Sequence, residues 1–307
     1  MNPTLQDIRY DPILSNVSVA YRNEKYIAEE ILPVVKVKNP TGKYFIYDTA
    51  KFRKAQSLRG MGSATREVDY GLSQSTAFVV KEYALKELVP DELITQAASP
   101  LNPSMDAAEN VTERLLVEKE YDLATYMKST SNLTNYVTLS GTSQWSDYAN
   151  SDPIGDVKTG KTAIHALIFK NPNVLVLGQE VYDKLVDHPD IIDRIKYSAL
   201  GVATNELLAR VFGIDKVIVA GAGYESATEG QDSSMAYIWG KYAWLLYVNT
   251  RPTTRNISFG YHFQDKLRVA DKWYDKDRKG TYVRVTDRYT REIVSVNCAY
   301  LLTAVVA

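Results

Sequence analysis

The sequence predicts an α+β fold with a strong β share, and three observations carry that prediction. One stretch, Pro103–Lys128, holds apolar residues at roughly helical spacing over its whole length. Between Pro153 and Val248, short apolar runs alternate with segments of helical period. From Lys266 onward the chain alternates apolar and polar residues, as in Val283-Arg284-Val285 and Val294-Ser295-Val296-Asn297-Cys298, the pattern of half-buried strands.

Met1 to about Glu30 shows no sustained period, is punctuated by Pro3 and Pro12, and reads as an extended arm. An apolar run, Ile31–Val37, leads through a Pro40–Gly42 turn into a strand at Gly42–Asp48. Lys51–Gly71 is polar and glycine-bearing, and a second strand follows at Ala77–Leu85. Two strands around a polar excursion of about 30 residues make a long hairpin, and a loop of that length is usually functional or bound to something else. Its tip carries the basic run Lys51-Phe52-Arg53-Lys54, with Arg59 nearby. Such a run is either a solvated tip or a docking contact for an acidic neighbour, since charge sets register between partners.

The strongest helix comes next. Asn102 can cap it and Pro103 suits its first position. Met105, Ala108, Val111, Leu115, Leu116, Leu123 and Met127 form the apolar face, and Glu109, Glu113, Arg114, Glu118 and Lys119 the other. At 1.5 Å per residue this is a rod of roughly 37 Å. Strands are then predicted at Val174–Leu177, Lys216–Ala220, Met235–Trp239 and Trp244–Val248. Helices are predicted at Val181–Val186, at Asp190–Tyr197, and from a Thr204 cap to Phe212. Gly221–Ser234 reads as a polar loop, and the tail as strands at Lys266–Trp273, Tyr282–Asp287 and Ile293–Leu301.

The 307 residues are 45% hydrophobic and 24% charged, ordinary for a folded chain, and the net charge of −1 supplies no global positive field for nucleic acid or anionic membrane. A single cysteine, Cys298, excludes an intramolecular disulfide, and its alternating apolar surroundings point to a buried inert thiol. Met1–Arg22 lacks the basic flank and apolar core of a signal peptide, and no apolar run approaches the length of a membrane span. Tyrosine outnumbers phenylalanine 22 to 7, a bias found where rings are buried with wet hydroxyls, as at subunit contacts.

One stretch points to chemistry. Gly155-Asp-Val-Lys-Thr-Gly-Lys-Thr162 matches the phosphate-binding pattern G-x-x-x-x-G-K-[ST] in full, so a P-loop nucleotide hydrolase is the alternative reading. A working P-loop needs an apolar strand before it, and Asp147–Pro153 is polar and turn-forming. The better reading is a helix capped by Asp152 and started at Pro153, with Ile154, Val157, Lys161, Ile164 and Ile168 stepping by three and four. The candidate strands Val174–Leu177 and Lys216–Ala220 end in Gly178 and Gly221, not in a magnesium-binding aspartate. His165, His188 and His262 are scattered without cysteine partners, so no zinc site is expected. There is no G-x-S-x-G elbow, and no catalytic, cofactor or metal residue is assigned.

Four blocks of wording resemble the major capsid proteins of tailed bacteriophages. They are Ile31-Leu32-Pro33-Val34-Val35 with Gly42-Lys43-Tyr44; Asp147–Ile154 continuing into Gly160-Lys161; Leu177-Gly178, Tyr182, His188–Ile191 and Asp193–Tyr197; and Ala220-Gly221-Ala222 with Trp239-Gly240-Lys241. The resemblance runs from about Ile27 to the C-terminus and implies the capsid fold named for phage Hong Kong ninety-seven. Residues 1–34 would be the N-terminal arm, and 35–90 the extended E-loop hairpin and its flanking strands. Residues 91–170 would be the peripheral domain with its spine helix at 103–128, and 171–261 the axial domain. Residues 262–307 would be C-terminal strands returning to both. The implied role is structural, not enzymatic, and needs no cofactor. Copies would build hexamers and pentamers of an icosahedral shell around double-stranded DNA, assembled in the host cytoplasm and resident in the virion. A shell of the same fold enclosing a cellular nanocompartment stays open as a variant.

The resemblance also implies portal and decoration proteins, and non-specific contact with packaged DNA on the inner face, with no membrane partner. The arm begins near Met1, which implies either a separate scaffold or a mature form of the chain. Lys43, Lys51 and Lys54 are hairpin lysines, but no covalent cross-link is assigned. Lys51, Phe52, Arg53, Lys54 and Arg59 are the expected intersubunit contacts of the hairpin, and Tyr10, Tyr21 and Tyr26 those of the arm.

Overall fold

The computed structural model describes residues 23, 25–47, 54, 57–65, 67, 72–97, 102–196, 204–228, 230–251 and 256–307. Two sheets organise them. The first has the order β1-β11-β12-β4. Its centre is a long antiparallel pair, β11 (Gly260–Asp275) and β12 (Gly280–Ile293), with β4 (Lys81–Pro90) antiparallel on β12 and β1 (Val34–Lys36) parallel on β11. The second has the order β5-β13-β10-β6-β7, from β5 (Tyr136–Thr138), β6 (Val174–Gly178), β7 (Lys216–Ala220), β10 (Ala243–Leu246) and β13 (Ala299–Thr303). Its three central strands are buried throughout, which is why they read as unbroken apolar runs such as Val174-Leu-Val-Leu177 and not as alternation.

The rod α3 (Pro103–Lys128) joins the two sheets. The Asn102 side chain accepts the Met105 N–H at 3.4 Å, and Pro103 fills the first position. Its first half lays Ala107, Val111 and Leu115 on Val89, Val283 and Val285 of the first sheet. Its second half sends Leu123, Ala124 and Met127 into the main core, where Trp244 of β10 donates its indole N–H to the Met127 carbonyl at 3.0 Å. The buried face differs from the expected one at two points. Met105 is 61% exposed, whereas Lys119 and Glu120 are buried.

Helix α4 (Pro153–Ile168) packs on β10 and β13 of the second sheet. α5 (Gln179–Val186), α6 (Pro189–Ile195) and α7 (Asn205–Phe212) complete the cover, α7 capped by Thr204 and stopped at Gly213 with φ +60°. Two short helices escaped the sequence reading: α1 (Ala28–Ile31), inside the stretch read as an aperiodic arm, and α2 (Asp91–Gln96). Four residues and six are too few to show a period.

Two expected strands are divided. Ala77–Leu85 is the end of β3 (Leu72–Val79) and the start of β4, separated by Val80. Ile293–Leu301 is the end of β12, a 3-10 turn at Val296–Cys298 and the start of β13, so the chain leaves one sheet and enters the other within what reads as a single strand. The expected hairpin is present: β2 (Thr41–Tyr47) pairs antiparallel with β3, and its base packs through Phe78 against Phe263 of β11. Inside the polar loop lies β8 (Gly223–Glu225), which pairs with β9 (Met235–Tyr237) of the expected strand that follows it.

The glycines of the wording blocks have a packing role. A Cβ on Gly178 would run into the carbonyl oxygen of Gly240, itself at φ +59°. Because that obstacle is backbone, no rotamer change relieves it. Gly178→Ala is expected to lower unfolding free energy by about 3 kcal/mol, the upper end for overpacking, in a urea titration followed by tryptophan fluorescence.

Candidate functional site

The phosphate-loop pattern folds as helix from its first residue to its last. Asp152 Oδ1 accepts the Gly155 N–H at 2.8 Å and caps α4. The Gly155 N–H is thereby spent on a carboxylate, and a Cβ on Gly155 would strike that same carboxylate. Gly160 is buried, and a Cβ there would meet Leu245 Cδ1 at 2.5 Å and Tyr300 Cδ1 at 2.8 Å. Lys161 Nζ donates to the carbonyls of Phe212 at 2.7 Å and Gly213 at 2.8 Å, a cation on the C-terminal end of α7. Thr162 Oγ1 donates to the Lys158 carbonyl at 3.0 Å. Each position of the pattern is occupied by helix capping or packing. Lys161→Ala is expected to cost about 1 kcal/mol in denaturant unfolding, and to leave titration with a fluorescent ATP analogue as flat as that of the unaltered chain.

The turn before α4 explains the wording from Asp147 onward. Asp147 accepts from the N–H groups of Ala149 at 3.1 Å and Asn150 at 3.3 Å, and Ser151 Oγ donates to the Asp147 carbonyl at 2.6 Å. Ser151 Oγ also lies 3.0 Å from His188 Nε2, and His188 Nδ1 accepts the Asp190 N–H at 3.2 Å. The proton of that buried imidazole therefore sits on Nε2. His188 links two of the wording blocks, and both of its ring nitrogens are committed to hydrogen bonds. His165 is exposed on α4. Among the described residues no group of three or more His, Cys, Asp or Glu is arranged to hold a metal ion. Cys298 is buried, and burial pushes its thiol up to about 11.

A dense polar cluster fastens Asn23 and Tyr26–Glu29 to α3. Glu120 is buried and takes three donors: the N–H of Ile27 at 3.1 Å, the N–H of Ala28 at 2.9 Å and the indole N–H of Trp239 at 2.6 Å. Two of these are the open N–H groups at the start of α1, where a carboxylate is favoured. Burial raises the Glu120 carboxyl above its ordinary value, and the three donors pull it back. Beside it, buried Lys119 bonds Glu29 at 2.8 Å and lies 4.5 Å from the ring centre of Tyr289. Tyr26 donates to Glu113 at 2.5 Å, and Asn23 takes the Gly223 N–H and returns a bond to its carbonyl. Glu30 pairs with Lys216 at 2.6 Å. The recess beside the cluster, lined by Tyr26, Glu29, Lys119, Glu120 and Arg268, holds about 140 Å³, below the roughly 300 Å³ of small-molecule sites. The site is a clasp; of its members, Glu113 and Lys119 come from the face that helical periodicity assigns to solvent, Glu29 from a stretch with no period, and Glu120 is assigned to neither face.

The hairpin is the other candidate. Of its expected contacts, Lys54 and Arg59 are exposed, and Lys51, Phe52 and Arg53 lie outside the described residues. Gly60–Ser63 form a turn in which Ser63 N–H meets the Gly60 carbonyl at 3.2 Å and Gly62 has φ +78°. Leu58 is 98% exposed and Met61 107%. Sequence reasoning singled out the cations here and missed these two apolar side chains, although apolar residues beside Gly60 and Gly62 in a polar stretch were visible. Of the arm tyrosines, Tyr10 and Tyr21 lie outside the described residues. Tyr26 is half-buried, with its hydroxyl engaged by Glu113 of its own chain.

A family profile described as phage major capsid protein E matches residues 87–236. The chain is 30% identical to a major capsid protein of Pseudomonas phage JBD67, over 97% of each chain. It is 27% identical to one of Burkholderia phage BcepMu, over 96% of each. Among solved structures it is similar to a phage-related protein from Bordetella bronchiseptica, with a TM-score of 0.72, 26% identity and coverage of 96% and 97%. The capsid of cyanophage P-SCSP1u shares the fold at a TM-score of 0.65 and 12% identity, with coverage of 99% and 95%.

Proposed function

This chain belongs to the major capsid proteins of bacteriophages, and from that membership we propose that its copies close into hexamers and pentamers of an icosahedral shell around double-stranded DNA. The observation that carries the reading is the match to whole major capsid proteins over 96–97% of the chain. The work is binding, not chemistry. Residues 1–34 act as an arm, of which Tyr26–Glu29 are clasped on the spine helix α3, and residues 35–90 carry the E-loop to a neighbour. The four-stranded sheet with the first half of α3 serves as the peripheral body, and the five-stranded sheet as the axial one. Lys51, Phe52, Arg53, Lys54 and Arg59 meet a neighbouring subunit. Leu58 and Met61 belong with them, because side chains so exposed and apolar gain most from being covered. A separate scaffold guides assembly in the host cytoplasm, and portal and decoration proteins join the shell. A net charge of −1 suits a wall that encloses DNA without gripping each phosphate.

Electron microscopy and sedimentation of the expressed full chain, with and without the scaffold of its own phage, test the reading. Uniform shells or tubes are expected. A chain that stays monomeric across concentration, salt and scaffold would refute it.

A further inference from the structure

The face of the first sheet beneath α3 holds buried donors that the clasp does not use. His262 of β11 and Arg291 of β12 stand directly opposite in register, so their side chains share one face. Arg291 Nη2 reaches Asp122 of α3 at 3.1 Å, which puts that face under the helix. His262 is 1% exposed, and neither ring nitrogen has a hydrogen-bond partner among the described residues. The Nη1 of Arg291 is buried and equally without one. Leaving a buried donor unpaired is costly, and folded chains set a water or an ion against such groups. Two of them on adjacent strands can share a single acceptor.

Charge decides between the two kinds of acceptor. Buried Lys119 lies 4.5 Å from the centre of the Tyr289 ring, and the His262 ring stacks on the same tyrosine at 5.4 Å. The carboxylates paired with the two cations lie on the solvent side. The side chain of Glu29 is 55% exposed against 4% for Lys119, and that of Asp122 is 42% exposed against 23% for Arg291. Water screens the carboxylates more than the cations, so the field at the imidazole is positive. The direction in which Lys119 and Arg291 push the His262 imidazole, downward, agrees. A water gains little from such a field and an anion gains from it directly. Two N–H groups replace the hydration of a small monovalent ion far better than that of sulfate or phosphate, whose remaining oxygens would face a dry interior.

We propose that the folded chain binds one monovalent anion of halide size between the imidazole N–H of His262 and Nη1 of Arg291, with Lys119 adding charge. The ion would join β11 to β12 beneath α3 and hold the helix on its sheet. The site belongs to the single chain and does not depend on the shell reading.

Thermal unfolding of the full-length chain at pH 7.5, with chloride exchanged for gluconate at one ionic strength, tests it. An ion held only by the folded state should raise the melting temperature by about 2–4 °C for each tenfold rise in chloride above its dissociation constant. Gluconate is too large to do so. His262→Phe keeps the ring stack and removes the N–H, and Arg291→Lys keeps a cation for Asp122 and removes the second donor. Both variants should lose the chloride-dependent gain. Crystals of the unaltered chain grown in bromide give a second reading that needs no variant to fold: an anomalous peak within hydrogen-bond reach of His262 and Arg291 Nη1. A melting temperature indifferent to chloride, a gain that both variants retain, or a water without bromide signal at that position would each overturn the site.

Discussion

Glu120→Ala is expected to be the most damaging single change in the clasp, costing about 3–5 kcal/mol and freeing Tyr26–Glu29 from α3. The carboxylate is buried, and it alone satisfies the Ile27 and Ala28 N–H groups and the Trp239 indole. Removing it strands three donors in a dry interior, at about 1–3 kcal/mol for each that water cannot reach. Glu120→Gln should cost less, since the amide keeps one acceptor oxygen and the volume, but its NH₂ faces an N–H it cannot accept. The expected signature is local before it is global. Hydrogen exchange should speed up at residues 25–36 by more than at α4, and protease should cut there first. A variant that unfolds in one step, with no early loss of protection at those residues, would show that Glu120 supports the core and not the clasp.

Why Glu120 was illegible in the sequence is a matter of distance along the chain. A glutamate between Lys119 and Tyr121 on a predicted amphipathic helix belongs to solvent by default. Its donors are 92, 93 and 119 residues away, and nothing local announces them. The same holds for β1, a three-residue strand whose place is set by parallel pairing to β11 at the other end of the chain. Features written locally were legible. Asn102-Pro103 and Asp152-Pro153 mark the starts of α3 and α4, and the helix they start reassigns the Gly155–Thr162 pattern from phosphate binding to packing. The basic tip was legible as charge. Its apolar pair Leu58 and Met61 gains meaning only once both side chains are seen to be exposed.

His262 makes the clasp region sensitive to acid. Its ring is buried, stacks on Tyr289 at 5.4 Å between centroids, and has no hydrogen-bond partner on either nitrogen. Its backbone N–H meets the Pro33 carbonyl at 3.1 Å, just after α1, whose start the clasp holds. Burial, then the nearby charges of Lys119 and Arg291, push the imidazole down to about 2. The folded pKa lies below the unfolded value near 6.5, so the stabilisation is complete above pH 6.5 and is lost as pH falls from there toward 2. At 1.36 kcal/mol per pKa unit, this group alone should remove about 2 kcal/mol by pH 5 and on the order of 3 by pH 4. Glu120 acts in the opposite sense: with its folded pKa raised, protonation on acidification relieves a buried charge, so a single pH curve mixes the two. His262→Phe separates them, because phenylalanine keeps the stack on Tyr289 and cannot titrate. Urea midpoints of the two chains between pH 7 and pH 4 should diverge steadily, with the variant losing less. Parallel curves would mean that His262 finds a proton acceptor in solution, and would remove it as the source of acid sensitivity.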